Sequence, residues 1–196
     1  MKQVILASTS KYRKELLLRL GLEFECMPPN VDEDKYKSLE YSPIELANKL
    51  AFEKAKAIHE NNPEAIVIGS DQLAECDGTI LNKPGNRSNA IEQISFLQGR
   101  EHRLITSFTV FNGLQHQTKT NITILKMRNL SKPQIETYID TDTPFDCAGS
   151  YKLEKHGISL FEKIQTDDHS SIIGLPLIEL TNLLNEMGVI TPPVGR

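Results

Sequence analysis

A chain of 196 residues that is 39% hydrophobic and 24% charged has the balance of a globular protein with a sizeable core, built as one large domain or two closely joined lobes. Its net charge of −4, without a block of like charges, gives no support for a nucleic-acid groove or an anionic membrane surface. No apolar run approaches a membrane span and no signal-peptide core precedes the first strand pattern, so a cytoplasmic protein is the expectation.

In chain order, Val4 to Ala7 reads as a buried strand, Ser8-Thr9-Ser10 as a hydroxyl-rich turn, and residues 11–20 as a helix stopped by Gly21. Leu22 to Met27 has a strand pattern, and 28–41 is polar, proline-led loop. Ser42-Pro43-Ile44-Glu45 is a capping box with proline at the first helical position, predicting a helix to about Glu60. Ala65 to Gly69 reads as a short buried strand that ends in Ser70-Asp71, and Asp77-Gly78 as a hairpin turn between LAEC and TILNK. Ser88 is the expected cap of a helix ending near Gly99. Two strand runs, Arg103 to Phe111 and Thr118 to Met127, flank a second hairpin turn at Asn112-Gly113. Ser131 to Ile139 reads as helix, Ile158 to Ile164 as strand, and Pro176 to Met187 as helix before Gly188. Alternating strands and helices interrupted by hairpins predict an α/β fold with a mixed sheet.

Cys26, Cys76 and Cys147 are odd in number and far apart, which fits free thiols, and the five histidines have no ligand spacing. The chemistry therefore has to come from elsewhere. Lys11, Arg13 and Lys14 crowd the first turn of the first helix, where each cation is unfavourable by roughly 0.3–1 kcal/mol beside unpaired N–H groups. Either Ser10 is a simple N-cap with solvated cations around it, or strand, hydroxyl turn and helix N-terminus hold a polyanion. Neither a Walker A loop nor a dinucleotide fingerprint is present. Lys54 interrupts the apolar stripe Ile44, Ala47, Ala51 and Ile58, and either snorkels to the helix edge or points its ammonium into a cleft. Asp71, at the end of its expected strand, is either a turn residue or placed where α/β proteins put catalytic or metal-binding acids. A two-residue hairpin loop pairs Gln72 with Lys83, which puts Lys83 near Asp71 but on the opposite face unless a bulge or the strand end re-aims one of them, and Asp32 and Glu33 supply further carboxylates. A phosphate turn, two lysines and oxygen ligands suit a magnesium-assisted phosphate site.

Those residues resemble one family along the whole chain. LASTSKYRKELL, NVDE, FEKAKA, VIGSDQ, LNKP, CAGSYKLEKHG and SIIGLPL are similar, in order and spacing, to the motifs of the Maf nucleotide pyrophosphatases. The resemblance implies one Maf-like domain over residues 1–196, with a mixed, strongly twisted central sheet, helices on both sides and two lobes enclosing a cleft, as in the inosine-triphosphatase-like folds. It implies hydrolysis between the α- and β-phosphates of a nucleoside triphosphate with a divalent cation (magnesium, manganese or cobalt), often as a homodimer. Ser8, Ser10, Arg13 and Lys54 would hold phosphate, Glu33 and Asp71 would bind the metal, and Asp71, Glu33 and Lys83 would carry catalysis, with Asp71 as proton acceptor. Nucleotide is the expected partner, with neither nucleic acid nor membrane.

Tyr12, Gln72 and Glu154 occupy positions that are usually arginine, threonine and glutamine in dTTP/UTP pyrophosphatases. Here the set resembles the branch that prefers 7-methyl-GTP. N7 methylation makes guanine cationic, so an aromatic ring gains roughly 0.5–2 kcal/mol by stacking on it. Glu154 would accept from the base N1–H and exocyclic amine; without the family it reads as a solvated carboxylate flanked by Lys152 and Lys155. Lys11 stands where the family usually has proline, and Tyr12 where this branch more often has tryptophan. The alternatives are a dTTP/UTP pyrophosphatase and a nucleotide-responsive regulator of cell division with little turnover.

Overall fold

The computed structural model describes residues 2–37 and 39–189. Strand β1 (Val4–Ala7) is wholly buried and leads through Ser10, the N-cap, into α1 (Lys11–Leu18). Strand β2 shrinks to Glu25–Cys26, and the stretch read as loop contains a short helix, α2 (Glu33–Lys37). The helix was hidden by its brevity. Its signals are an Asp32 carboxylate accepting from the Lys35 N–H, acids in the first turn and lysines in the last. Helix α3 (Pro43–His59) opens on the expected reciprocal capping box of Ser42 and Glu45.

Next come β3 (Ile66–Cys76), β4 (Thr79–Leu81), α4 (Arg87–Leu97), β5 (Glu101–Asn112), β6 (Gln115–Met127), α5 (Lys132–Asp142), β7 (Phe161–Gln165) and α6 (Leu177–Glu186). Among the described residues the strands form a seven-stranded sheet in the order β2-β1-β3-β5-β6-β7, with β4 paired to β3. Parallel pairs (β1 with β2 and β3) and antiparallel pairs (β3 with β4, β6 with β7) make it mixed, as expected.

Five features differ from expectation. Asp71 does not end its strand; it is the sixth of eleven residues in β3, because Gly69 and Ser70 continue the extended backbone. The β3–β4 register, Cys76↔Thr79 through Ala74↔Leu81, follows the two-residue turn, but the ladder stops before Gln72 and Lys83. Asn86, not Ser88, caps α4, accepting from the Asn89 N–H at 3.0 Å. The second hairpin turn is Gly113-Leu114, since Asn112 stays in β5 with its side chain accepting from Lys2 Nζ. Residues 156–160 form a 3₁₀ turn in place of the start of a strand, so β7 begins only at Phe161.

The chain divides into two compact units. The first holds the described residues up to Asp71, Thr106–Asn121, and those from Asp168 onward; the second holds Gln72–Ile105 and Ile122–Asp167. In the first, alternate residues of β1 and β3 face opposite ways and both faces are covered, the arrangement that buried parallel strands require. Val4, Leu6, Ile66 and Ile68 pack with Leu16 and Leu17 of α1 and Leu180, Leu183 and Leu184 of α6. Ile5, Ala7 and Val67 pack with Ala55 and Ile58 of α3. In the second, α4 packs against α5, and His102, Tyr151 and Phe161 form an aromatic group with ring centroids 4.9–5.8 Å apart. The three cysteines are free, and no described helix is long and apolar enough to cross a membrane.

Candidate active site

The turn after β1 is held by its own hydroxyls. Ser8, buried, accepts the Ser10 N–H at 3.1 Å, and Ser10 accepts the Arg13 N–H at 3.4 Å. In each case the oxygen accepts, so the hydroxyl proton stays available to donate. Arg13 is half-buried, and its Nε donates to the Gly174 carbonyl at 3.0 Å, a contact that does not use the terminal amino groups. Burial pulls the guanidinium pKa down from its ordinary value, while the negative charges of Asp71 and Glu33 push it back up. The group remains cationic and belongs electrostatically with those two carboxylates.

Lys54 is the hub that joins them. Only 7% exposed, it does not snorkel; its Nζ lies 2.6 Å from Asp71 Oδ1 and 2.7 Å from Glu33 Oε1. Glu33 opens α2, and its other oxygen is 3.8 Å from Lys37. The neighbouring lysines of α3 behave differently. Lys49 and Lys56 pair along the helix surface with Glu53 and Glu60. Asp71 is 5% exposed, and its Oδ2 is buried with no hydrogen-bond partner among the described residues. A buried anionic oxygen without a donor is costly unless a ligand, a proton or a cation completes it.

That oxygen decides whether a divalent cation fits. Among the described residues there is no cluster of three or more histidine, cysteine or acidic side chains, so a cage made wholly of protein is absent. Magnesium and its relatives need none. They retain waters and take one or two carboxylates together with substrate phosphate oxygens. Glu33 and Asp71, tied to one lysine with Oδ2 unclaimed, match that donor set.

Gln72, Lys83 and Glu154 belong to the second unit. Gln72 is half-buried in β3, directly after Asp71. Lys83 is exposed in the segment between β4 and α4, and Glu154 is exposed in the loop between the 3₁₀ turns Ala148–Ser150 and His156–Leu160. Tyr12, in the first unit, is half-buried, and Lys11 Nζ stands 4.9 Å from its ring centroid.

Sequence reasoning missed three residues that place the rest. Gly69 lets α3 approach β3: a Cβ there would come within 2.5 Å of the Ala51 carbonyl oxygen and the Ala55 nitrogen. Asp71 is two residues on, on the same face, which is why Lys54 can reach it. Glycine inside a strand pattern is the legible signal for such an approach. On the opposite face Ser70 is fully buried, with Oγ 2.9 Å from both the Ser107 and Gly174 carbonyl oxygens. Gly174 thus receives Arg13 and Ser70 together, joining the helix that follows the hydroxyl turn to the strand that carries Asp71. No sequence spacing announces that partnership.

A model of the family described as "Maf-like protein" matches residues 3–187. The "7-methyl-GTP pyrophosphatase" of Bdellovibrio bacteriovorus is 48% identical, covering 93% of this chain and 96% of its own length. The proteins of the same name from Xanthomonas oryzae pv. oryzae and Colwellia psychrerythraea are 43% and 41% identical, covering 98% and 96% of this chain and 100% and 94% of their own. Among solved structures, the Staphylococcus aureus Ham1 protein aligns with a TM-score of 0.54 at 11% identity, over 95% of this chain and all of that one, a likeness of fold alone.

Proposed function

Because the chain belongs to the Maf family, we propose that it is a nucleoside triphosphate pyrophosphatase that cleaves the α–β phosphoanhydride of 7-methyl-GTP to 7-methyl-GMP and pyrophosphate. The observation that carries the reaction is Asp71, a buried carboxylate with one oxygen fixed by Lys54 and the other lacking a donor. The substrate rests on relatives of that name at 41–48% identity over most of the chain.

Asp71 Oδ2 takes a proton from water, whose oxygen bonds to the α-phosphorus as the bridging oxygen leaves with pyrophosphate. Lys54 orients Asp71 through Oδ1 and adds positive charge, while Ser8, Ser10, Arg13 and the N-terminal N–H groups of α1 hold phosphate oxygens. The anchor at Gly174 fixes Arg13 before substrate arrives, so little orienting entropy is lost on binding. Lys83 is assigned to neutralising phosphate charge from the correspondence of its motif. Magnesium, manganese or cobalt, held by Glu33 and Asp71, supplies charge neutralisation and Lewis acidity when bound.

Base selection is assigned to Tyr12, Gln72 and Glu154. The Tyr12 ring already attracts a cation, Lys11, as it would a methylated purine. The test is pyrophosphate release from 7-methyl-GTP, GTP, dTTP, UTP and CTP with magnesium or manganese, with Asp71→Asn as control. Preference for 7-methyl-GTP, with a loss of about 100-fold or more in the variant, is the expected result. Preference for dTTP or UTP overturns the base assignment and keeps the reaction. Equal release by variant and wild type removes Asp71 as the base. Turnover of no nucleotide puts a nucleotide-responsive regulator first.

A further inference from the structure

Asp142, the last residue of α5, is 1% exposed. A carboxylate there is doubly unfavourable, since the helix C-terminus is already negative and burial removes hydration. Its contacts offset both. Oδ1 lies 2.7 Å from His156 Nδ1, and Oδ2 accepts the Gly157 N–H at 3.2 Å. Lys152, 6% exposed, donates from Nζ to the carbonyls of Asp142 (3.3 Å) and Thr143 (3.1 Å) and pairs with Asp146 at 3.2 Å. Its own N–H is accepted by the Tyr138 hydroxyl of α5 at 2.9 Å.

Lys152 and His156-Gly157 are the two ends of one loop, KLEKHG, which is closed on itself. A Cβ on Gly157 would stand 2.4 Å from the Lys152 carbonyl oxygen, and the Lys155 N–H donates to that same oxygen at 3.1 Å. Glu154 lies between these closed ends, exposed. A surface carboxylate set in a loop with both ends fastened to a buried acid differs from the solvated loop residue that its flanking lysines suggest.

We propose that Asp142, His156 and Lys152 form a positioning device for base selection, fastening both ends of loop 152–157 to the C-terminus of α5 so that Glu154 is held ready for the N1–H and exocyclic amine of a purine. The inference rests on the reading of Glu154 as the base-recognising residue. None of the three fasteners is assigned to the reacting phosphates, so their effect belongs in substrate affinity and selectivity and leaves turnover intact. A loose loop has to be ordered when the base binds, which weakens binding without touching the chemistry.

The exposed partner carries the test, because 71% of the His156 side chain faces solvent, so its truncation opens no cavity in the core. The measurement is kcat and KM for 7-methyl-GTP and GTP in wild type, Glu154→Gln, His156→Ala and His156→Asn, with melting temperatures alongside. His156→Ala is expected to lower selectivity for the methylated nucleotide about tenfold through KM, with kcat within about twofold. His156→Asn, whose amide nitrogen can donate where Nδ1 did, is expected to recover most of it. A cap that serves only folding would move the melting temperature and leave KM and selectivity alone. If His156→Ala keeps wild-type selectivity while Glu154→Gln loses it, the positioning role is overturned and the base reading stands. If Glu154→Gln itself keeps selectivity, the base reading falls and takes the positioning role with it.

Discussion

Lys54 sits where an amphipathic helix asks for an aliphatic side chain, and the sequence shows that interruption plainly. What the sequence leaves open is the direction of the ammonium. The structure resolves it with two carboxylates, of which Asp71 is buried and Glu33 is 38% exposed in its side chain. The two contacts are therefore unequal in worth. Lys54→Met keeps the volume of the stem and strands Asp71 without a donor on either oxygen, and a stability loss of about 3 kcal/mol is expected. Glu33→Gln removes the charge from a solvent-screened contact, for which less than about 1 kcal/mol is expected. Urea midpoints of the two variants check the ordering. Equal midpoints would mean that water screens Asp71 as well as it screens Glu33.

At the scale of elements, the decisive feature is how closely α3 lies on β3. The Ala51 and Ala55 backbone would be 2.5 Å from a Cβ on Gly69, and backbone cannot rotate aside as a side chain can. Gly69→Ala is expected to displace α3, cost about 1–3 kcal/mol through overpacking, and reduce turnover by separating Lys54 from Asp71. Denaturation and steady-state kinetics on the same variant check both effects, and wild-type kinetics would show that α3 can yield without disturbing the pair. The mixed sheet, α3 with its capping box, and the β3–β4 register are legible in sequence because they follow from short-range chemistry: capping residues, apolar period and turn glycines. Helix α2 is not legible, since five residues show little more than one turn of any period. The length of β3 is concealed for another reason. Gly69-Ser70-Asp71 reads as the end of a strand until the close helix and the carbonyls of Ser107 and Gly174 are known, and those lie 14 to 104 residues away in the chain. The same holds for the site. Ser8, Ser10 and Arg13 are neighbours in sequence and their turn can be read there, whereas the bond from Arg13 to Gly174 spans 161 residues.

For the molecule as a whole, the second of the two compact units carries a titratable group that none of the proposed chemistry uses. His102 is 2% exposed; its Nε2 is 3.0 Å from the Tyr151 hydroxyl, and its Nδ1 is buried without a hydrogen-bond partner among the described residues. A second proton on that ring would have no acceptor. Burial accordingly pulls its pKa down from 6.5 to about 4, with the charge of Glu75 opposing weakly. Between those values the unfolded chain binds the proton and the folded chain does not, so stability is fully present above about pH 6.5 and declines as pH falls toward 4. A shift of this size corresponds to about 3 kcal/mol over the window. His102→Gln, which can keep a hydrogen bond to Tyr151 and does not titrate, is expected to flatten that part of the profile. The quantity to follow is the difference in unfolding free energy between wild type and variant from pH 7 to pH 4, which cancels the carboxylates common to both. A difference that grows as the pH falls supports the buried neutral imidazole. A constant difference would show that the ring takes its proton in the folded state, with water or a shifted Glu75 carboxylate reaching Nδ1.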